Sequence, residues 1–247
     1  AHSYVVPEIV RCVADYVGDS YGLSKQAKNT TADTIIFSAV KFMAETAKLL
    51  NPSKNVYIPG TFNGCSLADS ITNHDIKQLK KKYPNYVFMC YINTTAAVKA
   101  ECDVCVTSSN VYDIAEKIDS NYIYFLPDKL MGKNLINELK RRNCHKTVRY
   151  WDGSCYVHEE YNPEMIDYVR LKHPNISVLA HPECSPDIVD LGDMNDWTNI
   201  HPNHVNDYSD VFFDYVFTVC DSAKDKCPVH FKAKRIIHES FFDPASA

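Results

Sequence analysis

The chain has 247 residues, of which 45% are hydrophobic and 23% charged, and its formal net charge is −5 at pH 7. This composition is typical of a globular protein with a sizeable core, and no apolar run is long enough to predict a membrane span. The acidic balance gives no electrostatic reason to expect a nucleic-acid partner. We therefore expect partners that include neither nucleic acid nor membrane.

Short β-branched and aromatic runs alternate with helical patterns along the chain. The predicted strands are residues 34–40, 55–58, 86–91, 103–106, 122–126, 147–150, 176–180 and 211–219. The predicted helices are residues 42–50, 75–82, 111–118, 135–142 and 163–172. Such regular alternation indicates an α/β fold with parallel sheets, in which ligands bind beyond the carboxyl ends of the strands.

A weak internal repeat accompanies this alternation. A five-residue step from an aspartate to a hydroxyl residue occurs three times, at Asp15 and Ser20, Asp103 and Ser108, and Asp193 and Thr198. We predict three small α/β subdomains related by pseudo-threefold symmetry, with chance similarity among α/β units as the alternative. The expected subdomains are residues 1–70, with 228–247 packing on them, 71–155, and a shortened third unit, 156–227.

Three cysteines lie in separate loop-like segments that each follow a predicted strand: Cys65, Cys155 and Cys227. Three thiolates meeting at one end of the molecule would hold a metal centre and leave one coordination position open for Lewis-acid chemistry. None of the three belongs to a local C-x-x-C pair, so their spacing does not indicate a zinc finger. Ordinary buried thiols are the alternative interpretation.

Polar loops follow two of the predicted strands. The hydroxyl cluster at residues 107–110 presents side-chain and backbone donors to an anion, although a plain helix N-cap explains it as well. The imidazole of His181 and the carboxylate of Glu183 would act as acid and base at one pocket rim, or form an ordinary surface pair. His158, three residues after Cys155, would either support the metal ligands or be an ordinary loop residue, and we favour the ordinary loop residue.

A series of short motifs runs from residue 1 to about residue 187. They are AHSY (1–4), VGDS (17–20), FMAE (42–45), LNP (50–52), GCSLADS (64–70), YINT (91–94), VKA (98–100), TSSN (107–110), LPD (126–128), WDGSCYVH (151–158) and HPEC (181–184). In these motifs and their order the sequence resembles the quinolinate synthase family, the iron–sulfur enzymes of de novo NAD biosynthesis. The family's three α/β subdomains around a central site agree with the repeat described above.

The resemblance implies a reaction and a cofactor. The family condenses iminoaspartate with dihydroxyacetone phosphate, losing phosphate and two waters to give quinolinate. The implied cofactor is a [4Fe-4S] cluster held by Cys65, Cys155 and Cys227, whose fourth iron is free to act as a Lewis acid. The implied partners are the two substrates and the enzyme that supplies iminoaspartate.

The resemblance also implies roles for individual side chains. Tyr4, His181 and Glu183 would transfer protons, with Glu183 the best candidate base. The residues matching positions that line the substrate pocket, besides these three, are His2, Ser20, Tyr91, Asn93 and Ser108. The hydroxyl groups that would bind carboxylate or phosphate oxygens are those of Ser20, Ser108 and Thr198.

The match weakens after Cys184. Thr198 is the only residue that remains of an expected Gly-Ser-Thr anion loop, and the sequence after Cys227 departs from the family's Cys-x-x-Met-Lys pattern. We therefore predict Cys227 as the third ligand, with Cys220 as its substitute. Two other functions stay open: a zinc-dependent hydrolase or lyase, and a cluster-less protein of the same fold that binds small anions.

The cysteine content bears on the compartment. Ten cysteines occur in a sequence without the charged and apolar segments of a secretion signal. Such a composition fits a reducing environment, where thiols serve as ligands or buried apolar groups. We therefore expect a cytoplasmic protein.

Overall fold

The computed structural model describes residues 1–60, 63–192, 212–218 and 232–238. These residues form parallel sheets with accompanying helices, so the predicted α/β class is confirmed. The chain divides into two compact units, Ala1–Val5 with Ile9–Thr198 and Val6–Glu8 with Asn199–Ala247.

The described helices and strands follow one another in an α/β order. They are α1 Pro7–Cys12, α2 Ser20–Asn29, β1 Thr34–Ile36, α3 Lys41–Leu50, β2 Asn55–Tyr57, a 3-10 turn Ala68–Ser70, α4 Asn73–Lys82, β3 Val87–Tyr91, α5 Ala96–Lys99, β4 Val104–Val106, α6 Val111–Lys117, β5 Tyr122–Leu126, α7 Lys129–Arg141, β6 Thr147–Tyr150, α8 Tyr156–Glu159, α9 Pro163–Lys172, α10 Pro186–Leu191, β7 Phe212–Thr218 and β8 Lys232–His238. None of the described helices is long and apolar enough to cross a membrane.

The first sheet is a parallel pair in which Ile35 of β1 lies opposite Val56 of β2. Helices α2 and α3 pack on it through a buried apolar cluster that includes Leu23, Phe37 and Phe42. Asp19 is the N-cap of helix α2, and its carboxylate accepts a hydrogen bond from the Gly22 N–H at 2.6 Å.

The second sheet has four parallel strands in the order β4-β3-β5-β6. Its central strands are apolar on both faces: Met89 and Phe125 are buried with residues of α6 and α7, whereas Phe88 and Tyr124 are buried with residues of α4 and α5. Burial on both faces is the expected state of a parallel sheet covered by helices. It leaves the carboxyl edge of the sheet as the place where polar side chains can converge.

The second unit contains a parallel pair of strands, with Phe212 of β7 opposite Lys232 of β8. Strand β7 falls inside the predicted strand 211–219. Strand β8 was not predicted. The predicted third ligand Cys227, its substitute Cys220 and the predicted anion residue Thr198 all lie outside the described residues.

One predicted strand is wrong. Residues 176–180 form extended chain with a single bridge position at Leu179, instead of a strand. Ile176 is 41% exposed and Leu179 is 47% exposed, so two of the large apolar side chains of this run lie at the surface, whereas Ala180 is buried. The pseudo-threefold arrangement and its subdomain boundaries stay predictions.

Candidate active site

The four strands of the second sheet each deliver a polar residue to their carboxyl edge. Tyr91 is the last residue of β3, Ser108 follows β4 by two residues, Asp128 follows β5 by two, and Cys155 follows β6 by five. Because the strands are parallel, their carboxyl ends lie along one edge. The sequence therefore places two of the predicted pocket residues and a predicted metal ligand on the same side of the sheet.

Glu183 is the central carboxylate of this site. It is 3% exposed, and its Oε1 accepts a hydrogen bond of 2.6 Å from the Tyr91 hydroxyl. Burial raises the pKa of Glu183 to about 6, while the hydrogen bond from Tyr91 acts in the opposite direction. Glu183 is thus mostly ionised at pH 7, yet basic enough to accept a proton.

Two imidazoles flank this carboxylate. His158 Nδ1 lies 3.4 Å from Glu183 Oε2, and His181 Nδ1 lies 3.7 Å from Glu183 Oε1. The two rings stack at 5.4 Å. Burial lowers the pKa of both, that of His181 to about 4, so both rings are neutral at pH 7. The interpretation of His158 as an ordinary loop residue is therefore wrong.

The segment that carries Glu183 is held by Asn134 of α7. The Asn134 amide donates hydrogen bonds of 2.8 Å to the carbonyl oxygens of Pro182 and Cys184, which bracket Glu183 in the chain. Asn134 is itself 4% exposed. Its role was not predictable from the sequence, because an amide in a helix gives no signal that its partners lie about fifty residues away.

Replacing Asn134 with leucine tests this support. We expect the free energy of unfolding to fall by about 2 to 6 kcal/mol, since two buried carbonyls lose their donor at roughly 1 to 3 kcal/mol each. Denaturant unfolding measures the change. The same substitution at Asn137, a less buried position of α7, is the control and should cost under about 1 kcal/mol. Equal losses for the two variants would contradict the role of Asn134.

Asp128, the last residue of the motif LPD, is a second buried carboxylate, and no site role was predicted for it. It caps α7, its Oδ1 accepting from the Met131 N–H at 2.8 Å, and its Oδ2 is buried without a hydrogen-bond partner. Burial first, and then the charge of Glu183, raise the pKa of Asp128 to about 7 despite the cap. Two carboxylates with raised pKa values in one buried region are typical of a functional site.

Asp128→Asn should show a pH-dependent gain in stability. A pKa raised from 3.8 to about 7 means that ionised Asp128 favours the unfolded chain, so the parent loses stability as pH rises between about 4 and 7. Asparagine keeps the cap and carries no charge. Relative to the parent, the variant should therefore gain about 4 kcal/mol in the free energy of unfolding between pH 4 and pH 8. A stability difference that does not change over this range would contradict the raised pKa.

Two of the three predicted cluster ligands, Cys65 and Cys155, lie near the carboxylate of Glu183. Cys65, in the loop after β2, donates its backbone N–H to Asp69 at 3.1 Å, and Cys155 is the residue before α8. Burial raises the pKa of both thiols, and at Cys155 the charges of Glu183 and Cys65 add to the rise. Both thiols pack against the same apolar cluster. The described residues thus supply two of the three thiols that a three-cysteine iron–sulfur centre would use.

A close approach of the backbone positions the loop of Cys155. Gly153 forms a bridge with Asp128, and its carbonyl accepts from the Lys129 N–H at 2.7 Å. A Cβ atom at Gly153 would lie 2.5 Å from the Pro127 carbonyl oxygen. Only glycine fits so close to the neighbouring loop.

The other predicted pocket residues range from buried to largely exposed. His2 is buried, its Nδ1 accepts from the Tyr4 N–H at 3.2 Å, and its ring meets that of Tyr4 at 4.2 Å. Tyr4 itself is 82% exposed. Ser20 opens α2 beside the capping Asp19, and Asn93 is half-buried just after β3. Their substrate-binding roles stay predictions.

A parallel sheet with thiols, imidazoles and a buried carboxylate at its carboxyl edge defines a class of α/β proteins whose side chains are of the types that bind metals and transfer protons. Comparison with known proteins narrows this class. The family model for NadA, "Quinolinate synthetase A protein", matches residues 1–213. This chain belongs to that family, which confirms the resemblance seen in the motifs.

Curated relatives agree with the family match. Quinolinate synthase 2 of Mesorhizobium japonicum is 45% identical over 205 residues, which cover 83% of this chain and 62% of the relative. Quinolinate synthase of Agrobacterium fabrum is 45% identical over 205 residues, 83% of this chain and 58% of the relative. Quinolinate synthase of Caldicellulosiruptor bescii is 44% identical over 194 residues, 78% of this chain and 62% of the relative. The chain thus spans about three fifths of the length of these relatives.

Proposed function

We propose that this chain carries the active site of a quinolinate synthase, which condenses iminoaspartate with dihydroxyacetone phosphate to quinolinate, releasing phosphate and two waters. The observation that carries the proposal is the buried Glu183 with its 2.6 Å hydrogen bond from Tyr91, in a segment matching the family. A condensation with two dehydrations requires repeated removal of protons from carbon. A buried carboxylate with a raised pKa suits that task.

The proton-transfer roles follow from the contacts of Glu183. Its Oε1 accepts from Tyr91, whose own pKa is raised well above its usual value by burial, so Tyr91 stays a donor. Its Oε2 has no hydrogen-bond partner and can receive the proton from substrate carbon. His181 and Tyr4 are the candidates to return protons to the departing oxygen atoms.

Cys65, Cys155 and Cys227 are the proposed ligands of a [4Fe-4S] cluster. The proximity of the free thiols of Cys65 and Cys155 to Glu183 supports these two cysteines as ligands. When bound, such a cluster supplies a Lewis-acidic iron for a substrate oxygen. The protein's own part is to hold the thiolates, keep the site buried and orient Glu183.

The anionic groups of the substrates require donors of their own. Ser20, Ser108 and Thr198 are the proposed binders of carboxylate or phosphate oxygens, with His2, Tyr91 and Asn93 lining the same pocket. The Ser108 hydroxyl is close enough to the Tyr91 phenol to lower its pKa, which supports a place for Ser108 beside Glu183.

Ser108→Ala tests the anion site. Loss of one charge-assisted hydrogen bond, about 1.5 to 3 kcal/mol, should weaken quinolinate binding roughly ten- to a hundredfold at unchanged iron content. Titration calorimetry measures the affinity. Ser109→Ala is the control, because Ser109 is exposed and its hydroxyl contacts Thr107 at 2.9 Å. Equal affinities for the parent and Ser108→Ala would make Ser108 a structural residue only.

The proposed partners are the two small-molecule substrates and the enzyme that supplies iminoaspartate, in the cytoplasm. Metal and product analysis tests the function against its alternatives. Anaerobically purified protein should contain iron and sulfide, absorb broadly in the visible range and form quinolinate from both substrates. Zinc without sulfide in protein that shows hydrolase or lyase activity and forms no quinolinate would favour the hydrolase or lyase, and substrate binding by metal-free protein without product would favour the anion-binding protein.

A further inference from the structure

The site contains a group of three possible metal-ligand atoms that does not include the thiol of Cys65. The thiol of Cys155, an imidazole nitrogen of His158 and a carboxylate oxygen of Glu183 all lie within 4.8 Å of one another. Cys155 and His158 are three residues apart in the same loop and helix start, where the His158 N–H donates to the Cys155 carbonyl at 3.0 Å. Glu183 comes from the segment that Asn134 holds. Hydrogen bonds to the backbone therefore hold the segments that carry all three donors in place.

Two of these donors lack a hydrogen-bond partner. His158 Nδ1 and Glu183 Oε2 are buried atoms without one, although the two atoms are only 3.4 Å apart. The Glu183 side chain is 4% exposed, so water does not hydrate this carboxylate oxygen freely. Buried polar atoms are normally satisfied, and a cation bound between these two atoms and the Cys155 thiol would satisfy both.

The spacing fits one transition-metal ion. Zinc binds nitrogen at about 2.0 to 2.1 Å and carboxylate oxygen at about 2.0 to 2.2 Å, so two such ligands of a tetrahedral ion lie roughly 3.4 Å apart. This is the separation of His158 Nδ1 and Glu183 Oε2. Thiolate, imidazole and carboxylate are all common zinc ligands.

We propose that the chain, when free of an iron–sulfur cluster, binds a single Zn²⁺ ion through Cys155, His158 and Glu183. This site differs from the proposed cluster site, because it uses His158 and does not use Cys65. It shares Cys155 with that site. Zinc therefore competes with cluster assembly, and the site does not depend on the proposed reaction.

Zinc titration of the cluster-free chain, in competition with a chromophoric chelator, tests the proposal. The parent should bind one equivalent of zinc. His158→Gln should weaken binding at least about a hundredfold, as expected for loss of one of three ligands. Cys65→Ser should bind zinc within about threefold of the parent. Iron reconstitution should show the reverse pattern: His158→Gln should accept the cluster, whereas Cys65→Ser should not.

Cobalt provides a readout on the unaltered chain. One equivalent of Co²⁺ should produce a thiolate-to-cobalt charge-transfer band that is absent in Cys155→Ser. The proposal would be overturned if His158→Gln bound zinc as tightly as the parent, or if the parent showed no thiolate-to-cobalt band. His158 and Glu183 would then be in contact without binding a metal. Zinc binding is measured without cluster or substrates. Failure to form quinolinate would therefore leave this result unaffected, and loss of zinc binding would leave the proposed reaction untouched.

Discussion

Glu183→Gln is expected to lower the rate of quinolinate formation by about a hundredfold or more. Glutamine keeps the shape of the side chain and still accepts the hydrogen bond from Tyr91, but it cannot take a proton from carbon. Iron content and substrate affinity should stay near those of the parent, so the loss should appear in kcat rather than in KM. Steady-state kinetics on anaerobic samples of known iron content measure both.

The pH profile gives this prediction a second readout. Because the pKa of Glu183 is about 6 and the base must be ionised, the rate of the parent should fall as pH drops below about 6. The exposed Glu160, which caps the C-terminus of α8, provides the control: Glu160→Gln should retain the parent rate. If Glu183→Gln turns over at close to the parent rate, the base must instead be sought at Tyr4 or His181.

Cys65→Ser and Cys155→Ser are each expected to abolish the cluster. A [4Fe-4S] centre held by three protein thiolates loses one third of its protein ligands with each substitution, and serine is a poor replacement for a soft thiolate. Iron and sulfide analysis after anaerobic reconstitution measures the loss. Cys12→Ser and Cys144→Ser are the matched controls and should keep full iron content.

The same analysis decides the third ligand. We expect Cys227→Ser to lose the cluster and Cys220→Ser to keep it. Full iron content in Cys155→Ser would contradict the ligand assignment as a whole. Loss of the cluster in Cys220→Ser but not in Cys227→Ser would make Cys220 the third ligand instead of Cys227.

The sheet that positions the site was largely predictable from the sequence. Strands β3 and β5 are short β-branched and aromatic runs, and their burial on both faces follows from that composition. The prediction failed at residues 176–180, where a similar run lies at the surface. A local pattern states a preference for extended chain, but a strand also needs a sheet to join, and that is a long-range property.

The site was predictable in part. The resemblance pointed to Tyr91 and Glu183, which the structure joins through a hydrogen bond across 92 positions of the chain. It gave no indication of Asn134, it included Asp128 only within the motif LPD (126–128) and without a role, and His158 was misjudged. These three act through burial and through contacts with distant segments, which neither residue type nor spacing reveals.

The most direct test of the proposed active site is the stoichiometry of its products. Anaerobic protein with about four irons and four sulfides per chain should be mixed with iminoaspartate and dihydroxyacetone phosphate, and phosphate and quinolinate should be measured in the same sample. We expect the two to appear in equal amounts, with the rate depending on Glu183. Protein with a full cluster that binds quinolinate but releases neither phosphate nor quinolinate would contradict the proposed function and favour a protein that only binds small anions.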